Sequence, residues 1–520
     1  MDDISHAEMI LVIGSNTTEQ HPLVSTRIFE ALSKGAELYV VDPRKIRLTD
    51  FAHGYAPIEP GANLPMINAM LHVIIEENLI DRSFIESRTE NYEEMKESVK
   101  DCTPEWAESI SKVPAETIRQ FARKYATTDK AMIIFTMGVT QQTTAVKSIR
   151  ALANLAMITN HVGRPSTGIN PLRGQNNVQG AGDMGALPDF LPGYQRPELP
   201  ETKERFTKIW GDFSCLRGNN MMQMFDLIDE GTMKAAYIIG ENPVLSDPDQ
   251  KHTIHCLEKV PFLVVQDIFL TETAEFADVV LPAASFLERD GTYTNTDRRV
   301  QMINKVIEPI GNSKPDWEII LEVMKRIGME VNYQNTSEIM DEINEATDIY
   351  GGITHDRISE VGIQWPCPNK EHPGTPILHV DEFTRGKGLF TVNDFEFLGD
   401  QRSEEFPFIL TTGRVTHQYH TGTMTRKVWT LALEYPKGFV EIHSKDAEEL
   451  GIKDHQPIRI TSARGSIVAP AMITNRINEK TLFVPFHFAE SPANRLTGQN
   501  LDPIINIPAL KVSAVRIEVE

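Results

Sequence analysis

The stretch AEMILVIGSN, residues 7–16, decides the fold of the amino-terminal part of the chain. Its unbroken apolar run ends in a Gly-Ser-Asn turn, which indicates a strand buried on both faces. The helical pattern PLVSTRIFEALSKG follows at 22–35 and stops at Gly35, and AELYVVDPR at 36–44 is a second apolar strand. Strand, helix and strand at this spacing predict a βαβ unit in a parallel sheet that is covered on both faces.

The same alternation extends over the first half of the chain. Up to about residue 160 it comprises two helical patterns and one strand, at 63–79, 115–126 and 131–138. It resumes near residue 219 with one helical pattern and three strands, at 219–231, 235–243, 261–269 and 277–283. We therefore predict two α/β lobes, the first over residues 1–175 and the second over residues 176–290.

The carboxy-terminal part has a different pattern. QPIRITSARGSIVAPAMI at 456–473 alternates apolar and polar residues between turns, which predicts the short strands of a β-barrel over residues 405–520. The only helix expected in that barrel is SKDAEELGI at 444–452. The segment 291–404, with a helix near 316–328 and a Pro- and Gly-rich stretch, is predicted to be mixed helical and irregular.

Charge and cysteine content exclude several classes of protein. The net charge of −22 comes from 73 Asp and Glu against 51 Lys and Arg. Nucleic acids and anionic membranes bind basic surfaces, so this charge argues against both as partners. No apolar run is long enough for a transmembrane segment, and MDDISHAEM at 1–9 has no export signal. The 4 cysteines lie far apart and are typical of reduced thiols, so we expect a cytoplasmic protein.

Polar turns at the predicted strand ends indicate a binding site. In open parallel sheets, ligands bind beyond the carboxyl ends of the strands. Such turns in both lobes suggest one large polar ligand with two similar ends, and Asp42 suits a ribose or guanine contact. The turns lack the glycine fingerprints of dinucleotide-binding and ATP-binding loops. The histidine pairs in HTIHC (252–256) and HQYH (417–420) lack further ligands at metal spacing, so zinc is not predicted.

The loop NPLRGQNNVQGAGDMG at 170–185 combines one arginine with side-chain amides and glycines, and it has few apolar residues. A guanidinium can orient a small carboxylate through two parallel charge-assisted hydrogen bonds. The amides can bind a polar ligand, and the glycines allow the backbone to approach it closely. An arginine paired with a surface carboxylate is the structural alternative.

Long motifs occur in order along the chain: GINPLRGQNNVQGAGDMGALPD (168–189), ADVVLPAASFLERDGTYTNTDRRVQ (277–301), TTGRVTHQYHTGTMTR (411–426) and VPFHFAESPANRLT (484–497). They resemble the catalytic subunits of molybdenum- or tungsten-dependent formate dehydrogenases, which belong to the dimethyl sulfoxide reductase family. GIQWPCP at 362–368 with HPGT at 372–375 is similar to the formate branch rather than to nitrate reductases. The resemblance implies an α/β fold with two Rossmann-like parallel-sheet lobes followed by a double-psi-type β-barrel.

The resemblance also implies a cofactor, Mo or W held by two molybdopterin guanine dinucleotides. In such enzymes an arginine that matches Arg173 holds the substrate carboxylate, and Gln175 is expected to bind the pterin, so both form the predicted catalytic set. Arg173 is expected to be buried among the amides of its loop. The residues predicted to bind the cofactor are Asn16, Thr17, Asp42, Arg44, Gly138 and Gln141 from the first lobe, Gly240, Glu241, Asn242, Asp267, Thr273 and Asp278 from the second, and His420, Gly422, Thr423, Phe486, His487 and Asn494 from the barrel.

Two features of the family have no match in this sequence. Family members begin with a lobe that holds a 4Fe–4S cluster, followed by the cysteine or selenocysteine that ligates the metal. No metal ligand is therefore predicted here, and we expect a truncated product whose Met1 lies downstream of a UGA codon read as a stop. Gly182 stands where formate-branch relatives often carry cysteine.

The function that the resemblance implies is two-electron oxidation of formate to carbon dioxide. Its expected partner is an electron-transfer subunit that carries iron–sulfur clusters or flavin. Two alternatives stay open at this point: a family member that acts on another small oxyanion, as nitrate reductases do, and a non-catalytic scaffold subunit of a respiratory complex. Retention of the Arg173 loop argues against the scaffold, because a structural subunit has no use for it.

Overall fold

The computed structural model of the chain describes residues 1–519. The contacts within it divide the chain into two compact units. Unit 1 comprises Met1–Leu172, Leu245–Gln250 and the chain from Ile377 onward, and unit 2 comprises Arg173–Val244 and Lys251–Pro376. The domain boundaries predicted at residues 175, 290 and 404 stay predictions. Among the described residues, no helix has both the length and the apolar character needed to cross a bilayer.

Unit 1 begins with a parallel α/β sheet. The strands up to residue 172 are β1 (Met9–Ile13), β2 (Glu37–Val41), β3 (Gly54–Ala56), β4 (Thr89–Glu90), β5 (Ala131–Phe135) and β6 (Gly168–Pro171). The helices are α1 (Thr17–Gln20), α2 (Pro22–Ser33), α3 (Asn63–Glu76), α4 (Arg82–Arg88), α5 (Tyr92–Ser98), α6 (Pro104–Ser111), α7 (Ala115–Thr127), α8 (Met137–Thr140) and α9 (Ala145–Ile158). Five strands form one parallel sheet in the order β3-β2-β1-β5-β6, which confirms the predicted βαβ arrangement.

Strand β1 shows why the sequence contains an unbroken apolar run. Met9, Leu11 and Ile13 belong to the core that contains residues of α3, whereas Ile10 and Val12 belong to the core that contains residues of α2. Successive side chains of a strand point to opposite faces. A central parallel strand with helices on both faces therefore needs an apolar residue at every position.

Unit 2 contains a second α/β sheet and a small antiparallel sheet. The helices between residues 173 and 376 are α10 (Val178–Asp183), α11 (Pro200–Trp210), α12 (Met221–Asp229), α13 (Pro243–Ser246), α14 (Gln250–Lys259), α15 (Asp316–Arg326) and α16 (Thr336–Ala346). The strands are β7 (Ala236–Ile239), β8 (Leu263–Asp267), β9 (Val279–Pro282), β10 (Gly291–Thr294), β11 (Arg299–Ile303) and β12 (Ile363–Gln364). Strands β7, β8 and β9 are parallel, and β10, β11 and β12 are antiparallel.

The parallel sheet of unit 2 is well covered on one face only. Residues of α12 and α14 pack with β7 and β8 in a common core. On the other face, Tyr237, Ile239 and Val279 are 39%, 42% and 38% exposed. The helices of this core, α12 and α14, therefore lie against the same face of the sheet.

The last part of unit 1 is a barrel. Its strands are β13 (Gly388–Leu389), which pairs with β4, and β14 (Phe408–Gly413), β15 (Val440–His443), β16 (Pro457–Ser462), β17 (Ser466–Thr474), β18 (Thr481–Pro485) and β19 (Ser513–Val519). Strands β14 to β19 close in the order β14-β18-β15-β17-β16-β19. Ile467, Ala469 and Ala471 of β17 are buried and alternate with more exposed residues, so the predicted barrel is confirmed.

Helices in the barrel segment are more numerous than predicted. Besides α18 (Ser444–Leu450), Trp429–Glu434 forms helix α17. The expectation of a single helix is wrong because α17 buries none of its residues, and it therefore has no apolar periodicity to reveal it. Short 3-10 helices complete the described chain at Asp2–His6, Arg47–Phe51, Pro192–Tyr194, Ala274–Phe276, Asp356–Ile358, Thr425–Lys427 and Ala493–Arg495.

Candidate functional site

The carboxyl ends of β1 and β5 meet where the strand order of the unit 1 sheet reverses. Asn16 and Thr17 follow β1, and Gly138 and Gln141 follow β5. Ligands of open parallel sheets bind at this kind of crevice. A Cβ on Gly138 would lie 2.5 Å from the Cα of Gly14, so the two turns touch through glycine backbone. The structure thus gathers these predicted residues at one edge of the sheet.

Polar atoms at this edge are buried without a partner. Among residues 1–519, nothing forms a hydrogen bond with Ser15 Oγ, Asn16 Nδ2 or Thr17 Oγ1. An unpaired buried polar group costs about 1–3 kcal/mol, and folded proteins keep few of them. A polar ligand bound at the end of β1 would pair these atoms. The residues present therefore fit a nucleotide-like cofactor.

Asp42 is a buried carboxylate at the end of β2, at the same edge of the sheet. Its Oδ1 accepts the backbone N–H of Arg44 at 2.9 Å. Burial raises the pKa of Asp42 to about 6, although the Arg44 hydrogen bond and the charges of Arg44 and Lys511 oppose the rise. Guanine presents two neighbouring hydrogen-bond donors, N1–H and its exocyclic amine. A buried carboxylate at a strand end fits that pair of donors.

Arg44 has a structural role inside unit 1. Its Nε and Nη2 donate to the two carboxylate oxygens of Glu441, at 2.9 and 2.7 Å. Its guanidinium also lies 3.6 Å from the ring centroid of Phe483. Glu441 and Phe483 belong to the barrel, so Arg44 joins the parallel sheet to the barrel. A contact of Arg44 with the cofactor stays a prediction.

Two cations near Asp42 were missed by the sequence analysis. Lys511 Nζ donates to the carbonyl of Thr412 at 2.9 Å. Burial lowers the pKa of Lys511 to about 7, with a further contribution from Arg414, and burial lowers the pKa of Arg414 to about 10. Burial makes the charged forms of Lys511 and Arg414 unfavourable in the protein alone. An anionic ligand such as a pyrophosphate would stabilise these charges. Arg414 lies in the TTGRV motif and could have been found there, whereas no motif contains Lys511.

The predicted barrel residues around His487 form a rigid aromatic group. Nδ1 of His487 donates to the carbonyl of His420, and its Nε2 accepts the backbone N–H of Val415 at 3.1 Å. The ring of Phe486 lies 4.9 Å from that of His487 and 5.7 Å from that of His420. Burial lowers the pKa of His487 to about 3 and that of His420 to about 4. Both imidazoles are therefore neutral at physiological pH.

The other predicted barrel residues lie on either side of this aromatic group. Gly422 has φ 75°, and a Cβ there would lie 2.9 Å from the side chain of Arg426. The hydroxyl of Thr423 is 2.8 Å from that of Thr421. Asn494 Nδ2 donates to the backbone carbonyls of residues 245 and 246, at 2.9 and 2.8 Å. The side chain of Asn494 thus ties the segment 245–250 to the barrel.

The predicted catalytic loop lies in unit 2. The backbone N–H of Arg173 donates to Thr296 Oγ1 at 3.1 Å, and its Nε donates to Gln179 Oε1 at 3.0 Å. Gln175 is half-buried. Arg173 itself is exposed, so the expectation of a buried guanidinium is wrong. The loop carries too few apolar side chains to cover the guanidinium, but a carboxamide does orient it.

The second sheet brings some of its predicted residues together and separates one. Gly240, with φ 63°, and Glu241 follow β7, and Asp267 ends β8, so these residues lie at the carboxyl edge. Burial raises the pKa of Asp267. Asp278 lies at the opposite edge, where its Oδ2 accepts the backbone N–H of Leu263 at 2.7 Å. We therefore leave Asp278 out of the proposed cofactor set.

Asn242 and Thr273 bind each other at this carboxyl edge. Asn242 Oδ1 accepts the backbone N–H of Thr273 at 3.2 Å and its hydroxyl at 2.7 Å. Asn242 Nδ2 donates to Glu272 at 2.8 Å, and the Thr273 hydroxyl accepts the backbone N–H of Val244 at 3.3 Å. These side chains hold two turns together and shape the edge without needing a ligand.

Comparison with known proteins identifies the family of the chain. The family model described as "Molybdopterin oxidoreductase" matches residues 1–326, and that described as "Molydopterin dinucleotide binding domain" matches residues 408–514. The F420-dependent formate dehydrogenase subunit alpha of Methanocaldococcus jannaschii is 47% identical over 100% of this chain and 77% of its own length. Formate dehydrogenase H of Escherichia coli is 38% identical over 100% of this chain and 74% of its own length.

A solved structure shares the fold. Acetylene hydratase from Pelobacter acetylenicus superposes with a TM-score of 0.79 at 19% identity, covering 99% of this chain and 78% of its own. At that identity the likeness shows the architecture alone. Sequence identity, the two matched family models and the architecture agree: the chain belongs to the molybdopterin oxidoreductase family.

Proposed function

We propose that the chain belongs to the catalytic subunit of a formate dehydrogenase, and that this subunit oxidises formate to carbon dioxide, a proton and two electrons. The observation that carries the proposal is the Arg173 loop, in which a carboxamide orients a guanidinium. Formate dehydrogenase subunits that match this chain along its whole length support it. A guanidinium binds a one-carbon carboxylate through both oxygens, which an arginine does better than any other side chain.

The cofactor proposed for the chain is Mo or W with two molybdopterin guanine dinucleotides. At the edge of the unit 1 sheet, Asn16, Thr17 and Asp42 would bind one dinucleotide, with Lys511 and Arg414 near its phosphates. At the carboxyl edge of the unit 2 sheet, Gly240 and the neighbouring predicted residues would bind the other. When bound, the cofactor supplies the acceptor for the two electrons.

Arg173 would set the direction in which formate presents its hydrogen. A bidentate pair uses both carboxylate oxygens, so the C–H bond lies on the axis of the pair and points away from the guanidinium. The guanidinium also favours the ionised form of the substrate. As carbon dioxide forms, the oxygens lose their negative charge and the attraction to Arg173 weakens. This interaction therefore acts mainly on binding of formate, and it favours release of the product.

The partner and compartment proposed for the chain follow from the same reaction. Two electrons must leave to an acceptor, so we infer an electron-transfer subunit that carries iron–sulfur clusters or flavin. The 4 cysteines are free thiols in the structure, two of them half-buried and two buried. Free thiols are typical of a reducing compartment, which favours the cytoplasm.

Kinetics of an Arg173→Lys variant test the proposal. The enzyme, purified with its metal, pterin and partner subunit, should reduce a viologen dye with formate. The substitution should raise the KM for formate by about 10- to 100-fold, because a point charge replaces two charge-assisted hydrogen bonds. Arg326→Lys, at the end of helix α15 in the same unit, changes a side chain that is 71% exposed; it is the matched control and should leave KM unchanged.

The same preparation separates the alternative functions. Dye oxidation by nitrate without dye reduction by formate would support an oxyanion reductase. Absence of both metal and pterin from the purified complex would support a scaffold subunit. An Arg173→Lys variant with the KM of the original enzyme would remove the arginine from substrate binding and contradict the proposal.

A further inference from the structure

Behind the Arg173 loop lies a buried carboxylate that accepts a hydrogen bond from several side chains at once. Asp183 is fully buried. Its Oδ1 accepts from Gln179 Nε2 and from the Tyr194 hydroxyl, each at 2.8 Å. Its Oδ2 accepts from the Tyr350 hydroxyl and from Trp365 Nε1, each at 2.7 Å. Because each of these groups can donate, the carboxylate acts purely as an acceptor.

The tyrosines that surround Asp183 are held in their donor form. Burial and the charge of Asp183 both raise the pKa of Tyr194 and of Tyr350, so their hydroxyls keep their protons at physiological pH. The guanidinium of Arg298 lies 5.4 Å from the Trp365 ring centroid; burial lowers the pKa of Arg298, and the charges of Asp297 and Asp183 oppose that change. The arrangement is therefore a saturated and rigid acceptor site in the core of unit 2.

Asp183 dictates which way the amide of Gln179 faces. A carboxylate cannot donate, so the NH2 end of the amide must face Asp183, and Nε2 also donates to the Tyr194 hydroxyl at 2.9 Å. The carbonyl end, Oε1, then faces the other way and accepts Nε–H of Arg173 at 3.0 Å. If the amide were reversed, two donors would face each other and the bond to Arg173 would be lost.

The hydrogen bond that Arg173 Nε donates to Gln179 limits how the guanidinium can pair with a substrate carboxylate. A carboxylate can pair with an arginine side-on, through Nε and one Nη, or end-on, through both Nη atoms. The bond to Gln179 occupies the side-on edge and restricts rotation about the last side-chain torsions. Formate would then bind to a guanidinium whose plane is set by Gln179.

We propose that Asp183 and Gln179 are positioning residues that orient Arg173 for binding of the formate carboxylate. This inference rests on the proposed function, and it adds residues that touch neither substrate nor cofactor. Asp183 acts through Gln179, and Gln179 acts through Arg173. Exposure of Arg173 makes such support necessary, because an exposed arginine otherwise populates many rotamers.

The test compares isosteric variants of the complete enzyme. Asp183→Asn lets the Gln179 amide reverse, and Gln179→Met removes the amide while keeping its length. Each should raise the KM for formate by about tenfold, the effect of one hydrogen bond to a charged group, with kcat changed less than about twofold. The double variant should raise KM no further than either single variant, because both act on the same bond.

A binding measurement without turnover gives a second readout. Nitrate is a planar monovalent oxyanion, and without an electron donor it cannot react. Its Kd, measured by titration calorimetry on the holoenzyme, should rise about tenfold in both variants, in parallel with the KM. Should Asp183→Asn fail to fold, the same measurements on Gln179→Met decide the question alone.

Glu288→Gln is the matched control for loss of a buried carboxylate in unit 2. Glu288 is 4% exposed and accepts the backbone N–H groups of Ser285 and Ile310, at 2.7 and 2.9 Å. This variant should lose stability but keep the KM for formate and the Kd for nitrate. Equal changes in all variants would reduce Asp183 to a purely structural role and overturn the inference.

The outcome also distinguishes this inference from the proposed function. If Arg173→Lys raises the KM for formate but Asp183→Asn and Gln179→Met do not, the positioning role is wrong and the function stands. If Arg173→Lys leaves KM unchanged, the proposed function fails first. A loss confined to kcat in the two variants would likewise contradict positioning for binding.

Discussion

Thr17 in unit 1 and Thr273 in unit 2 are buried threonines beside strand ends, and their hydroxyls differ in how they are paired. In unit 1 the Thr17 hydroxyl is buried and bonded to no described residue, and burial moves the pKa values of Asp42 and Lys511 to about 6 and about 7. In unit 2, Asn242 and Thr273 bind each other. A ligand bound at the unit 1 edge would stabilise that unit by pairing these groups, whereas Asn242 and Thr273 of unit 2 are already paired with each other. We therefore expect loss of cofactor to destabilise unit 1 more than unit 2.

The largest effect on stability is expected from breaking the Arg44–Glu441 pair, because this leaves an unpaired charge buried in unit 1. The side chains of Arg44 and Glu441 are 12% and 5% exposed. Glu441→Gln leaves the guanidinium buried without its counter-charge, so the free energy of unfolding should fall by about 3–5 kcal/mol. Urea denaturation of the protein without cofactor measures this change.

A double variant controls for the charge itself. Arg44→Met combined with Glu441→Leu removes both charges and keeps similar volumes, so it should recover most of the lost stability. A loss below about 1 kcal/mol for Glu441→Gln would show that the pair behaves like an exposed one.

Lys511→Met should stabilise the protein without cofactor, and the gain should depend on pH. The pKa of Lys511 is about 7 in the folded protein and near its ordinary 10.5 when unfolded. Between these values the unfolded chain binds more protons, so stability rises with pH in this window, and the full penalty is present below pH 7. At pH 6 the variant should gain up to about 5 kcal/mol, reduced by about 1–3 kcal/mol for the lost hydrogen bond to the Thr412 carbonyl, and at pH 10 it should gain much less.

The cofactor should reverse the effect of that substitution. Phosphates near Lys511 would favour its charged form, so Lys511→Met should bind the dinucleotide more weakly than the original protein. Thermal unfolding at pH 6 and pH 10, with and without cofactor, measures both effects. A gain that is the same at both pH values would contradict the assignment of a strained lysine.

A matched pair of Thr→Val substitutions gives the smallest effect and the most direct comparison. Thr17 and Thr273 are both fully buried. Thr273→Val removes a hydroxyl that both donates and accepts, so it should lower the free energy of unfolding by about 1–2 kcal/mol. Thr17→Val removes a hydroxyl without a partner among the described residues, so it should be neutral or stabilising by up to about 1 kcal/mol.

Binding completes that comparison. Thr17→Val should weaken cofactor binding, because the ligand loses one hydrogen bond. Denaturant titrations of both variants and their cofactor content after purification provide the data. If both variants lost the same free energy of unfolding, the proposed difference in hydrogen bonding between Thr17 and Thr273 would be wrong.

The local pattern of apolar and polar residues was enough to predict the helices and strands that bury side chains. The unbroken apolar run of β1 and the alternation in β17 each reflect which faces are covered. Helix α17 buries none of its residues, so its sequence has no apolar periodicity from which to predict it. For Tyr237, Ile239 and Val279 in the unit 2 sheet, the sequence pattern likewise does not show whether another element covers their side chains.

The candidate site could be predicted only where its residues lie in motifs. Arg173 and the turns after β1 and β7 were found in this way, and their roles in binding stay predictions. Lys511 was missed because its environment comes from Asp42 and Arg414, which are distant in sequence. The orientation of Gln179 depends on Asp183, whose three other donors come from residues as far as 182 positions away in the sequence. Such contacts carry no local signal.

The Arg44–Glu441 bond joins residues 397 positions apart, which has a consequence for how the chain is made. A ribosome adds roughly 5–20 residues each second, so Arg44 leaves the exit tunnel on the order of half a minute before Glu441 exists. During that interval the amino-terminal sheet contains Arg44 without the carboxylate of Glu441 that pairs with it in the folded protein. Folding of unit 1 can therefore be completed only after the barrel strand that carries Glu441 has been synthesised.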